Sequence, residues 1–184
     1  MINWLINRAK RTPYFHLPGY MERYWLVPYN KAIFRALSRT VHDDGCGNVD
    51  GFSFVVSDGT GMVSPLRRPF TWALQKLGIA VRIHHILRSD TGRDPHDHPW
   101  PFVTIILRGG YWEHRFHEDG IWAGTKWHGA GSVLFRRAKD FHMLELPPSK
   151  TAWTMFITGP KQQTWGFKPV HGPKIPYYEY KDAE

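Results

Sequence analysis

The sequence predicts an all-β chain: an antiparallel β-barrel of the jelly-roll type, preceded by an N-terminal extension that contains short helices. Two observations carry that expectation. From Ile79 onward, runs rich in β-branched and aromatic residues alternate with short Gly, Pro, Asp and Ser connections, at the strand spacing of such barrels. The 184 residues are also enough for one domain with its own core. The chain divides on this reading into an extension, residues 1–79, packed on a barrel, residues 80–184.

Taken in order, residues 2–10 set Ile2, Leu5, Ile6 and Ala9 on one side of a short amphipathic helix, expected to dock on the protein rather than on a membrane. Pro13, Pro18 and Gly19 end it. Met21–Tyr29 reads as extended, and Asn30 caps a helical pattern over Asn30–Thr40. The stretch 42–61 is rich in Gly and Asp and reads as a hairpin or loop; Asp43, Asp44, Asp50 and Asp58 do not match the EF-hand spacing and suit turns. Pro69–Leu77 reads as a second short helix with Gly78 as its stop. Residues 31–79 look like an insertion that covers an open sheet edge or mediates assembly with a partner, a homodimer being one form. Strands are then expected at Ala80–Arg88, Phe102–Leu107, Tyr111–Phe116, Ser132–Arg137, His142–Leu146, Trp153–Thr158 and Gln163–Lys168. The second and third are expected to form a hairpin about Gly109-Gly110.

Composition narrows the classes of function. Nine Trp, eight Tyr and eleven Phe suit either a barrel lumen or a protein–protein surface. A net charge of +8 favours anionic partners, but no run of basic residues reaches five, which argues against a dedicated nucleic-acid arm. The single Cys46 has no internal disulfide partner and fits a reducing compartment. No apolar run approaches the roughly 18 residues of a membrane span, and Met1–Thr12 lacks a signal-peptide pattern, so the expectation is a soluble cytoplasmic protein. A Ser-His-Asp order, a nucleophile elbow, a Walker loop and a dinucleotide Gly fingerprint are all absent from the sequence.

The chemistry concentrates in Arg93–Gly110. In an extended segment side chains repeat every second residue, so His96 and His98 leave one face together, and Pro95, Pro99 and Pro101 keep the segment out of a helix. Neutral imidazoles that converge suit a divalent first-row metal. Downstream, Gly131–Asp140 gives a strand and turn ending near His142. His96, His98 and His142 are the candidate ligands; the alternative is that they are hydrogen-bonded histidines of a polar turn. On a two-residue hairpin, His117 would face Phe102 and become a conditional fourth ligand. By the same register Glu113 faces inward, too far along the strand to reach the metal and suited to an inward arginine. Strand 80–88 puts Val81, Ile83 and Leu87 on one face and Arg82, His84, Ile86 and Arg88 on the other. Arg82 or Arg88 could anchor an acidic substrate, or form an internal ion pair with Glu113, Asp90 or Asp94. One of Arg136 and Arg137 points inward, and Trp100 closes the barrel mouth or stacks on a ligand. Asp97 points away from the histidines, as an orienting or turn residue.

These residues resemble the two motifs of the cupins. The first cupin motif is His-x-His, three or four residues, a Glu, six residues and a Gly; here it meets His96, His98 and Gly109 or Gly110. The second is a Gly, five residues, Pro-x-Gly, two residues and a His, and Gly131 and His142 match its ends. The chain departs from the pattern at the Glu, where Phe102 and Val103 stand, and at the Pro and Gly, replaced by Arg137 and Lys139. A cupin without the Glu resembles the three-histidine thiol dioxygenases, or a barrel that has lost its metal. The strings MERYWLVPYN, RIHHILRSD, HDHPWPF and FITGP…WGF are similar to a group of cupin-like proteins of tailed phages and prophages, which would place the chain in the host cytoplasm. The resemblance implies a cupin metalloprotein with one divalent metal, Fe(II) first and Zn, Ni or Mn as alternatives. Such a centre could serve an oxygenase acting on a small anionic substrate. The other readings are a non-enzymatic binding or assembly protein and a protein that sequesters a small phosphate or other anionic ligand.

Overall fold

The computed structural model describes residues 1–13, 16–27 and 73–180. The helix expected over Asn30–Thr40, the Gly- and Asp-rich stretch 42–61, Cys46 and the start of the helix expected over Pro69–Leu77 lie outside them. Residues 73–76 are helical, and Gly78 at φ +68° follows as the expected stop.

The described chain has one N-terminal helix and ten strands. Helix α1 is Ile2–Ala9, and the strands are β1 Met21–Val27, β2 Ala80–Ile86, β3 Phe102–Arg108, β4 Gly110–Phe116, β5 Trp122–Gly129, β6 Val133–Arg136, β7 Phe141–Glu145, β8 Ala152–Thr158, β9 Gly166–Phe167 and β10 Ile175–Pro176. One wall is a five-stranded sheet in the order β1-β2-β8-β3-β6, antiparallel throughout. The other is the three-stranded β5-β4-β7, which the segment around His96 joins to the β9–β10 pair through bridges to His142 and Phe167. The fold is therefore the all-β, jelly-roll-type barrel that the strand spacing predicts. Residues 21–27, ahead of the barrel boundary read from the sequence, supply an edge strand of the larger wall.

Strand alternation sorts the residues between two cores. On the outer face of the five-stranded sheet, Leu26, Val81, Ile83 and Trp153 pack against Ile6 and Ala9 of α1. That helix buries only part of its predicted face, since Ile2 stays exposed. Inside the barrel, Ile86, Ile106, Tyr111, Leu134 and Leu146 fill one end. The other end keeps its polar residues.

The expected hairpin between residues 102–107 and 111–116 does not form. Strand β3 pairs with β6 and β8, while β4 pairs with β5 and β7, so Gly109-Gly110 carries the chain from one wall to the other. The crossing explains both glycines: a Cβ on Gly109, at φ +74°, would lie 2.2 Å from the Thr151 carbonyl oxygen, and one on Gly110 would lie 2.6 Å from that of His128. Strand β5 is an element the sequence reading lacked. The strand expected over Gln163–Lys168 shortens to Gly166–Phe167.

Candidate metal centre

Two separate segments bring three imidazoles together. Backbone N–H groups of His96 and His142 each donate to the other's carbonyl, at 3.1 and 3.0 Å, which sets both side chains on the same face of the second wall. Two residues on, His98 returns to that face, its N–H donating to the Ala138 carbonyl at 3.0 Å. The ring centroids of His96, His98 and His142 form a nearly equilateral triangle with sides of 5.2, 5.0 and 5.1 Å. One nitrogen from each lies within 4.8 Å of the other two.

The surroundings keep His96 and His98 neutral. Burial pushes His96 down to about 4, against a smaller opposing pull from Asp90. Burial and then the neighbouring His142 and His96 rings hold His98 well below the ordinary imidazole value. A neutral imidazole offers a lone pair, which is what a cation needs. The donor set therefore fits a divalent first-row metal, with coordination positions left for water or a ligand.

Glu113 sits behind His142. The His142 Nδ1–H donates to its Oε1 at 2.9 Å, which leaves Nε2 as the lone-pair nitrogen aimed at His98. Arg136 donates from Nε to Oε1 at 2.9 Å and from its terminal nitrogen to Oε2, and His128 donates from Nε2 at 3.1 Å. Burial alone would raise this carboxyl, but the hydrogen bonds from His142 and Arg136 outweigh it and hold it well below the usual carboxylate range. The sequence reading brought Glu113 inward and gave it an arginine. That arginine is Arg136 of β6, and both side chains are committed to each other rather than facing a ligand.

A second carboxylate holds the other two histidines from outside. Asp97 is 1% exposed; its Oδ1 accepts from the Gly166 N–H at 2.8 Å, and its Oδ2 accepts from Gln163 Nε2 at 2.8 Å and Lys174 Nζ at 2.5 Å. Segment 95–98 is thus clamped to strand β9 and to Gln163 and Lys174 on either side of it. Sequence placed Asp97 away from the histidines but gave no sign of Lys174, which is 77 residues distant.

The remaining candidates divide. Arg82, His84 and Trp100 line a cavity of about 240 Å³ together with the three histidines. The Arg82 guanidinium carbon lies 4.8 Å from the Trp100 ring centroid and 5.1 Å from that of Trp25, on the wall facing the histidines. Arg88 does not belong to this lining: it is exposed, with its guanidinium 5.9 Å from the Tyr20 ring. Neither Arg82 nor Arg88 is the cation of Glu113, which pairs with Arg136. His117 is also a correction. It is exposed and outside the cluster, because the hairpin that would have turned it inward is absent. The position of the cupin Glu is filled by Phe102, whose ring meets His98 edge-on at 4.5 Å. Tyr20, which the sequence does not single out, and Asp90, expected only as an ion-pair partner for an arginine, line the same cavity, with the Tyr20 hydroxyl donating to Asp90.

Neither a protein-family model nor a curated protein matches this chain. Solved structures do. The DMSP lyase DddQ from Ruegeria pomeroyi DSS-3 aligns at TM-score 0.40 and 12% identity, over 57% of this chain and 46% of that one. A point mutant of Bacillus subtilis oxalate decarboxylase OxdC aligns at 0.39 and 19%, over 49% of this chain and 24% of its own. A conserved protein of unknown function from Streptococcus pyogenes, SPY1581, aligns at 0.35 and 15%, over 47% and 68%. The first two are cupin-fold proteins. This chain spans less than half the length of either, and likeness at this level says nothing of what it binds.

Proposed function

We propose that the chain is a cupin-fold metalloprotein in which His96, His98 and His142 hold one divalent metal, Fe(II) first, beside a lumen that admits a small anion. The observation that carries this reading is three imidazole nitrogens from separate segments within 4.8 Å of one another, one ring backed by a buried carboxylate. When bound, the metal would supply Lewis-acid or oxygen-activating chemistry. The protein's own residues do the rest. Glu113 fixes the tautomer of His142, Asp97 fixes the strand that carries His96 and His98, and Arg82 offers positive charge to an anionic ligand. Phe102, Phe156 and Trp100 narrow the lumen and limit water. An oxygenase acting on a small acid is the activity that best fits these parts. The deciding experiment is metal analysis of untagged protein. The expected result is about one metal per chain in wild type and almost none in His96→Ala or His142→Ala, whereas metal-free wild type purified from metal-replete cells would defeat the reading.

A second reading rests on the outer surface. Trp112, Trp122 and Trp127 are 43, 60 and 41% exposed on strands β4 and β5, with Phe135 61% exposed on β6. Such a display suits a binding or assembly protein, as the resemblance to the phage and prophage group also suggests. On that reading His96→Ala and His142→Ala leave folding and partner capture intact while Trp112→Ser and Trp127→Ser abolish capture.

A further inference from the structure

His84 lies on the wall opposite the metal centre. It is 7% exposed, its ring lines the cavity and stacks on Phe156 at 4.8 Å, and its Nε2 has no hydrogen-bond partner among the described residues. A buried polar atom left alone is costly, and in a native protein it points to a partner that is not part of the chain. The strand register places Arg23 directly across from His84 on β1, and Arg82 is two residues before it on the same face of β2. Two guanidinium groups so close discourage a third positive charge, and with burial as the larger cause the imidazole is held well below its ordinary value. His84 is therefore not the charge partner of an anion. A neutral imidazole has one N–H and one lone pair, so it matches a neutral group able to donate or accept, such as a hydroxyl.

Charge and size supply the rest of the ligand. Arg23, Arg82 and Arg93 line the cavity, and Asp90 is its one lining carboxylate among the described residues. Among those lining residues cations outnumber carboxylates, which favours an anion. A volume of about 240 Å³ gives room for a small metabolite. We propose that the lumen binds a small hydroxy-carboxylate, its carboxylate facing the arginine wall and its hydroxyl hydrogen-bonded to His84.

This rests on the reading of the lumen as a ligand site, and the test separates it from the metal. Lactate and propionate share a carboxylate and a three-carbon skeleton and differ by one hydroxyl. Each is titrated calorimetrically into metal-free and Co(II)-treated wild type, His84→Phe and His84→Gln. Wild type is expected to prefer lactate about tenfold or more, because a site built for a hydroxyl rejects the analogue without one. His84→Phe keeps the ring stack and is expected to bind both acids equally, at the wild-type affinity for propionate; His84→Gln keeps a donor and an acceptor and retains the preference. Equal binding by wild type, a preference that survives in His84→Phe, or no binding of either acid in any form overturns the proposal. Failure of Co(II) to bind wild type is a different outcome: it counts against the metal centre, and the lactate comparison on the metal-free protein then decides the role of His84 alone.

Discussion

The Nε2 atoms of His98 and His142 stand 2.9 Å apart although 44 residues separate them in the chain. Since Glu113 takes the proton-bearing Nδ1 of His142, the contact is a hydrogen bond in which His98 Nε2–H donates to His142 Nε2. The same spacing suits two donors on one ion, because bonds of about 2.1 Å meeting at a right angle separate the donors by about 3.0 Å. Binding then costs His98 only a change of tautomer, with little backbone movement. Soaked crystals should therefore show the His98 and His142 main chain unmoved by Zn(II) or Co(II). A main-chain shift of an ångström or more at either residue on loading would contradict this preorganisation.

Much of this arrangement was readable in the sequence, because it rests on local rules. The two-residue period put His96 and His98 on one face and Arg82 and His84 on another, and both pairings hold. What failed was partner choice. Gly109-Gly110 has the composition of a tight turn, yet φ-permissive glycines serve equally where a chain squeezes between two others. Nothing local to β3 and β4 says which strands will pair with them. Strand β5 escaped notice because W-A-G-T-K-W-H-G lacks alternation: it is an edge strand whose only buried side chain is His128. The Asp97–Lys174 and Glu113–Arg136 pairs join distant residues by charge, which periodicity does not register.

Glu113 offers a sharp test of orientation from behind. Glu113→Gln keeps the side chain's shape but leaves the half-buried Arg136 beside an uncharged amide. Breaking a buried pair from one side costs about 3–5 kcal/mol, and loss of the carboxylate behind a ligating His lowers metal affinity about 10–100-fold. The double variant Glu113→Gln/Arg136→Met should recover much of the stability and none of the metal affinity. Denaturant melts and Zn(II) competition titrations on both variants check the two halves separately, and a double variant with full metal affinity would remove Glu113 from the design.

Acid should destabilise the metal-free protein in two windows. His96 titrates at about 4 in the fold, and His98 and His84 are held well below their ordinary value, against about 6.5 in an unfolded chain. As pH falls below about 6.5 the unfolded state takes up protons that the fold refuses, so stability declines, by at most about 1.4 kcal/mol per pH unit for each histidine. Glu113 acts lower down. Its depressed carboxyl contributes stability that is present above its unfolded value and is lost as pH falls through the folded one. Melting temperature of chelator-treated protein should thus fall steadily from pH 7 to 5 and again below about 4.5, with the first slope shallower in His84→Phe. A profile level from pH 7 to 5 would mean that these rings take up protons as readily in the fold as in the unfolded chain.

Phe102→Glu restores the carboxylate that the cupin pattern places beside the histidines. The ring it replaces is 4% exposed and lies 4.5 Å from His98 and 5.8 Å from His142, so a carboxylate there is taken out of solvent beside two imidazoles. Without metal the buried charge loses its hydration, and the variant should melt well below wild type at pH 7, regaining stability as acid neutralises the new group. With a divalent metal the same charge becomes a fourth donor, an oxygen beside three nitrogens, so affinity should rise and the metal-induced gain in melting temperature should exceed that of wild type. The two effects have opposite sign at one residue, and a general loss of packing cannot produce both. Differential scanning calorimetry of wild type and variant, each with chelator and with excess Zn(II), measures all four states. Equal destabilisation in the presence and absence of Zn(II) would show that no ion sits within reach of residue 102, and would place the three histidines in a purely structural role.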